Sequence, residues 1–346
     1  MNQPTIRFRP LKRAVAGDKS SILDLLITIS PPPPSIETNK SQRTPLNLAL
    51  VIDRSGSMSG SKLSNARKAA RFLASELTER DRLAIISFDE GTKVVIPSQA
   101  VRDPQPFLAA INTIHSGGLT ALFDGWMAGA IQVAEHLDPA ALNRVLLLSD
   151  GHANQGITNQ KKITEKVEGL SERGVSTSAF GLGQDFDEDL MGAIATAGDG
   201  TLAHIESPRQ LADLYASELE SLTTTVGRKV SFGLRGKDGV QLIDLLNDLP
   251  PTKRSNYRLP SLRLGQELNI GVRLDIPAWS PNKEICSIRL AWDSPGESQR
   301  NTLIEHLNLP VRSKAEIKGM EADKTVIEEF AVLEANRARR KAMEEL

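Results

Sequence analysis

The chain has 346 residues, 42 Lys and Arg against 43 Asp and Glu, a net charge of −1 and 4% aromatics. That length suits roughly two domains; the balanced charge argues against nucleic acid or an acidic membrane surface as partner, and so few aromatics leave no platform for stacking bases. There is no apolar run of the roughly 18 residues a membrane span needs, the N-terminus MNQPTIRFRPLKRA lacks the apolar centre of a secretory signal, and the single cysteine, Cys286, cannot form an internal disulfide, which together read as a cytoplasmic protein.

Residues 1–44 come first. Leu23, Leu25, Ile27 and Ile29 alternate on one face of a predicted strand, Ile22 to Ser30. Pro31 to Pro34 reads as a stiff extended spacer rather than an SH3-type ligand. So short a segment cannot close a core of its own, so its strand is expected to complete a sheet formed by residues far along the chain.

From residue 45 to about 225, strand and helix patterns alternate. The run LNLALVID, Leu46 to Asp53, is apolar on both faces, as in a parallel sheet covered by helices. Leu63, Ala66, Ala70, Leu73 and Leu77 follow at helical spacing. Then come a buried strand Arg82 to Phe88, a short edge strand Lys93 to Pro97, a helix Gln105 to Ile114, a glycine turn at Ser116 to Thr120, and a helix Ala121 to Leu137. Strands Arg144 to Ser149, Val175 to Leu182 and Gly200 to Ile205 alternate with helices Lys161 to Arg173, Phe186 to Ala197 and Arg209 to Leu222, the last with Ser207 as cap and Pro208 in its first turn. The pattern predicts a doubly wound, Rossmann-like α/β sheet with helices on both faces.

Beyond residue 226 the period changes to two. Val230, Phe232 and Leu234 alternate, as do Leu268 to Ile276 and Cys286 to Trp292, predicting a small antiparallel β-sandwich over residues 226–312 that the N-terminal strand joins. Cys286 falls on the apolar face and reads as a core thiol. Residues 313–346 end in an amphipathic helix with Val326, Ile327, Phe330, Leu333 and Ala338 as its apolar stripe; packing on its own chain is favoured over docking to a partner.

The chemistry gathers where strands end. Asp53-Arg54-Ser55-Gly56-Ser57 follows the first strand of the alternating region, and Asp150-Gly151 follows the fourth. In a doubly wound sheet these strands are neighbours at the switch point, where ligands bind. Thr120 stands at the head of the helix reached through Gly117-Gly118. Two bare carboxylates 4 Å apart repel by about 1 kcal/mol in water and about 4 at a protein surface. A divalent cation removes that conflict, and an oxygen-only set of two carboxylates and three hydroxyls suits Mg²⁺, with Mn²⁺ and Ca²⁺ as alternatives.

Asp53, Ser55, Ser57, Thr120 and Asp150, in that order on alternating strands, resemble the metal-ion-dependent adhesion site of a von Willebrand factor type A domain. The resemblance covers residues 45–225. It implies that the serines and the threonine ligate directly, that the aspartates ligate directly or through water, and that an acidic side chain of a partner protein fills the open position. FLASELTERDRLAIISF and GGLTALFDG are similar to the branch holding inter-alpha-trypsin inhibitor heavy chains and calcium-activated chloride-channel regulators. Without a signal or span, the chain looks more like their bacterial intracellular relatives, some of which act beside AAA+ ATPases of the MoxR type or in stress and defence clusters.

Other chemistries fit less well. An EF-hand loop counted from Asp53 would need Gly and an acid where Met58 and Ser64 stand. A nucleophile elbow would need a serine at Met58. A Mg²⁺-dependent phosphohydrolase with Asp53 as nucleophile would need a second acid at Ser55, whose hydroxyl titrates far too high for proton transfer. A structural subunit with a merely stabilising metal is the remaining alternative to a non-enzymatic binding module. His115, His136, His152, His204 and His306 are scattered without zinc spacing, His152 lying at the rim of the presumed site. Asp89 and Glu90 read as a solvated turn, Asp124 as a charge favouring its helix N-terminus, and Arg54 and Met58 as side chains free to face a partner.

Overall fold

The computed structural model describes residues 3–33, 43–183, 186–252, 255–278, 283–297 and 299–344. Pro34, the boundary segment at 34–42 and the last two residues of the predicted terminal helix lie outside these. The N-terminal strands are β1 (Thr5–Pro10), β2 (Val15–Ala16) and β3 (Ser21–Ser30). Next come β4 (Leu46–Asp53), α1 (Ser61–Glu76), β5 (Arg82–Phe88), β6 (Thr92–Ala100), α2 (Gln105–Asn112), α3 (Leu122–Ala134), β7 (Leu142–Ser149), α4 (Gln160–Glu172), β8 (Val175–Leu182), α5 (Glu188–Ala197), β9 (Leu202–Ile205) and α6 (Leu211–Thr223). The remainder is β10 (Thr225–Gly236), β11 (Gln241–Leu245), β12 (Tyr257–Arg258), β13 (Leu262–Arg263), β14 (Leu268–Ile276), β15 (Lys283–Asp293), β16 (Arg300–Leu309), β17 (Val311–Arg312), α7 (Lys314–Gly319) and α8 (Lys324–Glu344). Two compact units result: Asn39–Thr224, and Met1–Thr38 together with Thr225–Leu346.

The Asn39–Thr224 unit is a mixed α/β layer structure. Its sheet runs β6-β5-β4-β7-β8-β9, parallel throughout except for β6, which pairs antiparallel at the edge. Every residue of β4 and of β7 is buried, as expected of strands covered by helices on both faces. Alternate side chains of β4 enter different cores. Leu46, Leu48, Leu50 and Ile52 pack with Leu63, Ala66, Ala70 and Leu73 of α1 and with α6. Ala49 and Val51 pack with Leu122, Phe123, Trp126 and Ala130 of α3. α3 lies so close to the sheet that a Cβ on its Gly125 would stand 2.4 Å from Phe88 Cγ.

Polar side chains lock the ends. Asp81 takes both guanidinium nitrogens of Arg43, the Leu46 amide at 2.9 Å and the Thr78 amide at 2.7 Å, fixing where β4 begins. Arg144 and Glu218 form a buried ion pair at 2.8 Å that joins β7 to α6. The Ser207-Pro208 signal is spent on a short 3₁₀ turn, Pro208–Gln210, and α6 starts after it with Gln210 as cap residue.

The second unit holds two antiparallel sheets, β1-β3-β14-β11 and β12-β10-β15-β16, with β13 also pairing β10. Leu23, Leu25, Ile27 and Ile29 of β3 share one core with Val272 and Leu274 of β14 and Ile288 and Leu290 of β15. β3 pairs β14 in continuous register from Ser21 opposite Ile276 to Ile29 opposite Leu268. Cys286 is buried in this core, and burial pushes its thiol up to about 12, which makes it inert.

α8 packs on the other face of this sheet. Val326 and Phe330 bury against Leu26 and Leu246, with Leu333 alongside. Arg337 continues that face one turn on, pairing with Asp244 and Asp248. The apolar stripe is therefore narrower than the sequence pattern: Ile327 is 52% exposed and Ala338 also faces solvent. Among the described residues, no helix is long and apolar enough to cross a membrane.

Candidate functional site

β4 and β7 run side by side in register to Ile52 opposite Leu148. They end together, so Asp53 and Asp150 leave the sheet as neighbours. Asp53 is fully buried. Its Oδ1 accepts the Ser55 amide at 2.8 Å and its Oδ2 accepts the Ser149 hydroxyl at 2.5 Å. Each oxygen thus keeps a lone pair for another partner. Burial pushes the Asp53 carboxyl above its ordinary value; the Ser149 and Ser55 hydrogen bonds oppose this, and the charge of Asp150 adds to it.

From Asp53 the hydrogen bonds run on. The Ser55 and Ser57 hydroxyls are 3.1 Å apart, and Ser57 donates to Asp150 Oδ1 at 2.7 Å. A Cβ on Gly151 would stand 3.7 Å from Ser57 Oγ and 3.9 Å from Thr120 Oγ1, which brings Thr120 into the same cradle. Asn154 pins Thr120 in place, accepting its amide at 2.9 Å and donating to its carbonyl at 3.2 Å. Asp53, Ser55, Thr120 and Asp150 are buried and Ser57 is exposed, so the cluster opens to solvent on the Ser57 side. Gly60, at φ 75°, then turns the chain into α1, a conformation that favours glycine.

Beneath these groups the loops are tied to one another. Arg54 pairs with Asp89 Oδ2 at 2.8 Å. The Arg54 carbonyl accepts the Gly117 amide at 2.7 Å, and the Gly118 carbonyl accepts the Gly56 amide at 2.9 Å. A Cβ on Gly117 would fall 2.0 Å from Asp89 Oδ2, so any other residue there would have to displace that carboxylate. Asp89 is therefore a buried brace and not part of a solvated turn, and Arg54 is tied to it while its side chain stays 28% exposed. Met58 is fully buried in the core on the α1 side of the sheet, so it offers nothing to a partner. Asp124 lies exposed in the first turn of α3. His152 is also exposed, its Nδ1 3.6 Å from Asp187 Oδ2.

Two residues here escape sequence reasoning. Ser149 is the last residue of β7, and only the strand pairing reveals that it faces Asp53. Lys62 is the other: its ammonium sits on Asp150 Oδ2. The first turn of α1 holds no acid, and a cation there opposes the helix dipole by about 0.3–1 kcal/mol. That oddity is the one signal the sequence offers.

The donor chemistry fits a hard cation. The converging atoms are carboxylate and hydroxyl oxygens, and four of the five residues are withdrawn from water. Among the described residues no three His, Cys, Asp or Glu side chains group as a metal site, so any ion here would rely on hydroxyls as much as on charge. Such a set suits a hard divalent cation better than a softer one.

The von Willebrand factor type A domain profile matches residues 47–217. The chain is 27% identical over 284 residues to an uncharacterised protein of Synechocystis sp., covering 78% of this chain and 67% of that one. It is 31% identical over 194 residues to the uncharacterised protein YfbK of Escherichia coli, covering 55% and 34%. To human inter-alpha-trypsin inhibitor heavy chain H4 it is 30% identical over 198 residues, covering 53% and 21%. The chain thus spans about a third of YfbK and about a fifth of the heavy chain. Among solved structures, a von Willebrand factor type A protein from Catenulispora acidiphila aligns with a TM-score of 0.67 at 16% identity, over 92% of this chain and 76% of that one. The ArnB paralog VWA2 from Sulfolobus acidocaldarius aligns with a TM-score of 0.59 at 17% identity, over 96% and 82%. At these identities the likeness is one of fold.

Proposed function

With a von Willebrand factor type A domain over residues 47–217 as the premise, we propose that Asp53, Ser55, Ser57, Thr120 and Asp150 hold a Mg²⁺ ion through which the protein captures an acidic group of a partner protein. The observation that carries this reading is the unbroken run from Asp53 through Ser55 and Ser57 to Asp150, with Thr120 beside it. When bound, the ion supplies an electrophilic seat for a Glu or Asp carboxylate.

The chain's own residues do the rest. Asp53 and Asp150 provide negative charge that burial makes costly without a counter-ion. The three hydroxyls add neutral oxygens, so the two carboxylates balance a bound dication without overwhelming it, and an anionic oxygen can still be accepted as a further ligand. The Arg54–Asp89 brace holds the ligand-bearing loops in place before any ion arrives, which spares the cost of ordering them on binding. The position two residues after Asp53, where an aspartate nucleophile's general acid would stand, is Ser55, which supports a binding module over a phosphohydrolase.

The test is calorimetric titration of Mg²⁺ into the native chain and into Asp53→Ala, with circular dichroism to show that the variant is folded. Loss of binding in the variant is expected; unchanged Mg²⁺ affinity would sink the reading. A pull-down with Mg²⁺ and with EDTA, using both proteins, then asks whether partner capture needs the ion; capture that persists in EDTA would favour a merely stabilising metal.

A further inference from the structure

Lys62 is the second residue of α1, and its ammonium meets Asp150 Oδ2 while Ser57 occupies Oδ1. The Asp150 side chain is fully buried; that of Lys62 is 30% exposed. Lys62 therefore reaches inward from the surface to a carboxylate that has no other charged partner among the ion pairs of the described residues. The contact is unusual in two ways. The cation stands in the first turn of a helix that carries no acid there, where the local dipole opposes it. It also sits on one of the two carboxylates whose charges the proposed site gathers.

An ammonium donates three hydrogen bonds and accepts none. It cannot join a coordination shell, and it repels a dication placed on the same carboxylate. The two cations are thus alternatives for Asp150. The side chain is equipped to move: a four-carbon stem with a compact head, already part-way to solvent. Gly183, at φ +89°, stands beside it, where a Cβ would lie 3.8 Å from Nζ and 3.9 Å from Cε.

We propose that Lys62 is a tethered cation that competes with the divalent ion for Asp150. The inference rests on the cation-site reading given above. Lys62 offsets the charge of Asp150 in the ion-free protein, so the loops keep their geometry, and it turns toward solvent when the ion loads. Loading then exchanges one positive charge for two at the same carboxylate. Affinity for the ion is set lower than the donor set alone would give, so occupancy follows the ambient concentration of Mg²⁺. The released ammonium is left at the rim, where it adds to the attraction for an incoming carboxylate.

The experiment is calorimetric titration of Mg²⁺ into the native chain, Lys62→Met and Lys62→Gln, paired with thermal unfolding of all three in EDTA and in saturating Mg²⁺. Glutamine keeps a hydrogen-bond donor without the charge and stands in if methionine impairs folding. Competition predicts that both variants bind Mg²⁺ about tenfold tighter or more, melt lower than native in EDTA, and gain more from Mg²⁺ than native does. Affinity equal to or weaker than native, in a native chain that does bind Mg²⁺, overturns the role of Lys62 alone. No Mg²⁺ uptake by the native chain or by either variant overturns the cation reading and this inference with it.

Discussion

Ser149 donates its hydroxyl to Asp53 Oδ2 at 2.5 Å, joining the last residue of β7 to the last residue of β4. The bond opposes the effect of burial on the Asp53 carboxyl and fixes which way its oxygens face. Groups that orient a metal-binding carboxylate commonly contribute 10–100-fold to affinity. Ser149→Ala is expected to weaken Mg²⁺ binding by about tenfold with little change in fold, as read by calorimetry and circular dichroism.

Gly117→Ala places a methyl group on Asp89 Oδ2. The brace between Arg54 and Asp89 must then give way. A loss of about 2 kcal/mol is expected from such overpacking, together with weaker Mg²⁺ binding. Denaturant unfolding checks the first and calorimetry the second; an unperturbed midpoint would show that the loop adjusts freely.

Glu218 predicts a pH dependence. Burial alone would raise its carboxyl, but the Arg144 charge and hydrogen bonds from Ser178, Arg144 and Thr201 outweigh it and hold the carboxyl below the ordinary value. A depressed folded-state value means that the stabilisation is complete above about pH 4.3, where an unfolded glutamate titrates. It is lost as the pH falls through the lower folded value. Glu218→Gln leaves the buried Arg144 without a counter-charge and is expected to cost about 3 kcal/mol at neutral pH. It should also flatten the acid limb of the stability curve below about pH 4.3. Urea unfolding between neutral and acid pH measures both.

Two neighbours on α8 should behave in opposite ways. Phe330 is buried against Leu26 and Leu246, and the Arg273 guanidinium lies 5.8 Å from its ring centroid. Phe330→Ala is expected to cost about 3 kcal/mol. Ile327→Ala, at an exposed position, should change stability by less than about 0.5 kcal/mol. Equal effects in thermal unfolding would mean that α8 does not pack through this face.

What could be read in advance depended on range. The α/β unit was legible because β4, β5 and β7 are dominated by apolar residues on both faces and α1 keeps a regular stripe. The meeting of Asp53 and Asp150 followed from strand order alone. Ser149 and Lys62 were not legible, because what they touch is set by neighbours across the sheet and not by local spacing. Asp89 misled for a related reason: a charged residue in a short turn reads as solvated, and the close approach of Gly117 to its carboxylate is not visible in local spacing. β16 was missed because Glu305 and His306 interrupt its alternation at a sheet edge, where half the side chains face water. The terminal helix was legible, but its stripe was drawn too wide, since Arg337 and not Ala338 completes the packed face.

The pairing of β3 with β14 has a consequence for synthesis. The strand that completes β3 is made roughly 240 residues later, which at ~5–20 residues per second is about 10–50 s. Until then Leu25, Ile27 and Ile29 have only β1 beside them, and a strand edge stays open to other chains. The six strands of the α/β sheet meanwhile all emerge within Asn39–Thr224. A nascent chain can thus finish its α/β half while its first and last segments still wait for each other, and a ribosome stalled in that interval would present a completed loop cluster together with an unfinished sheet.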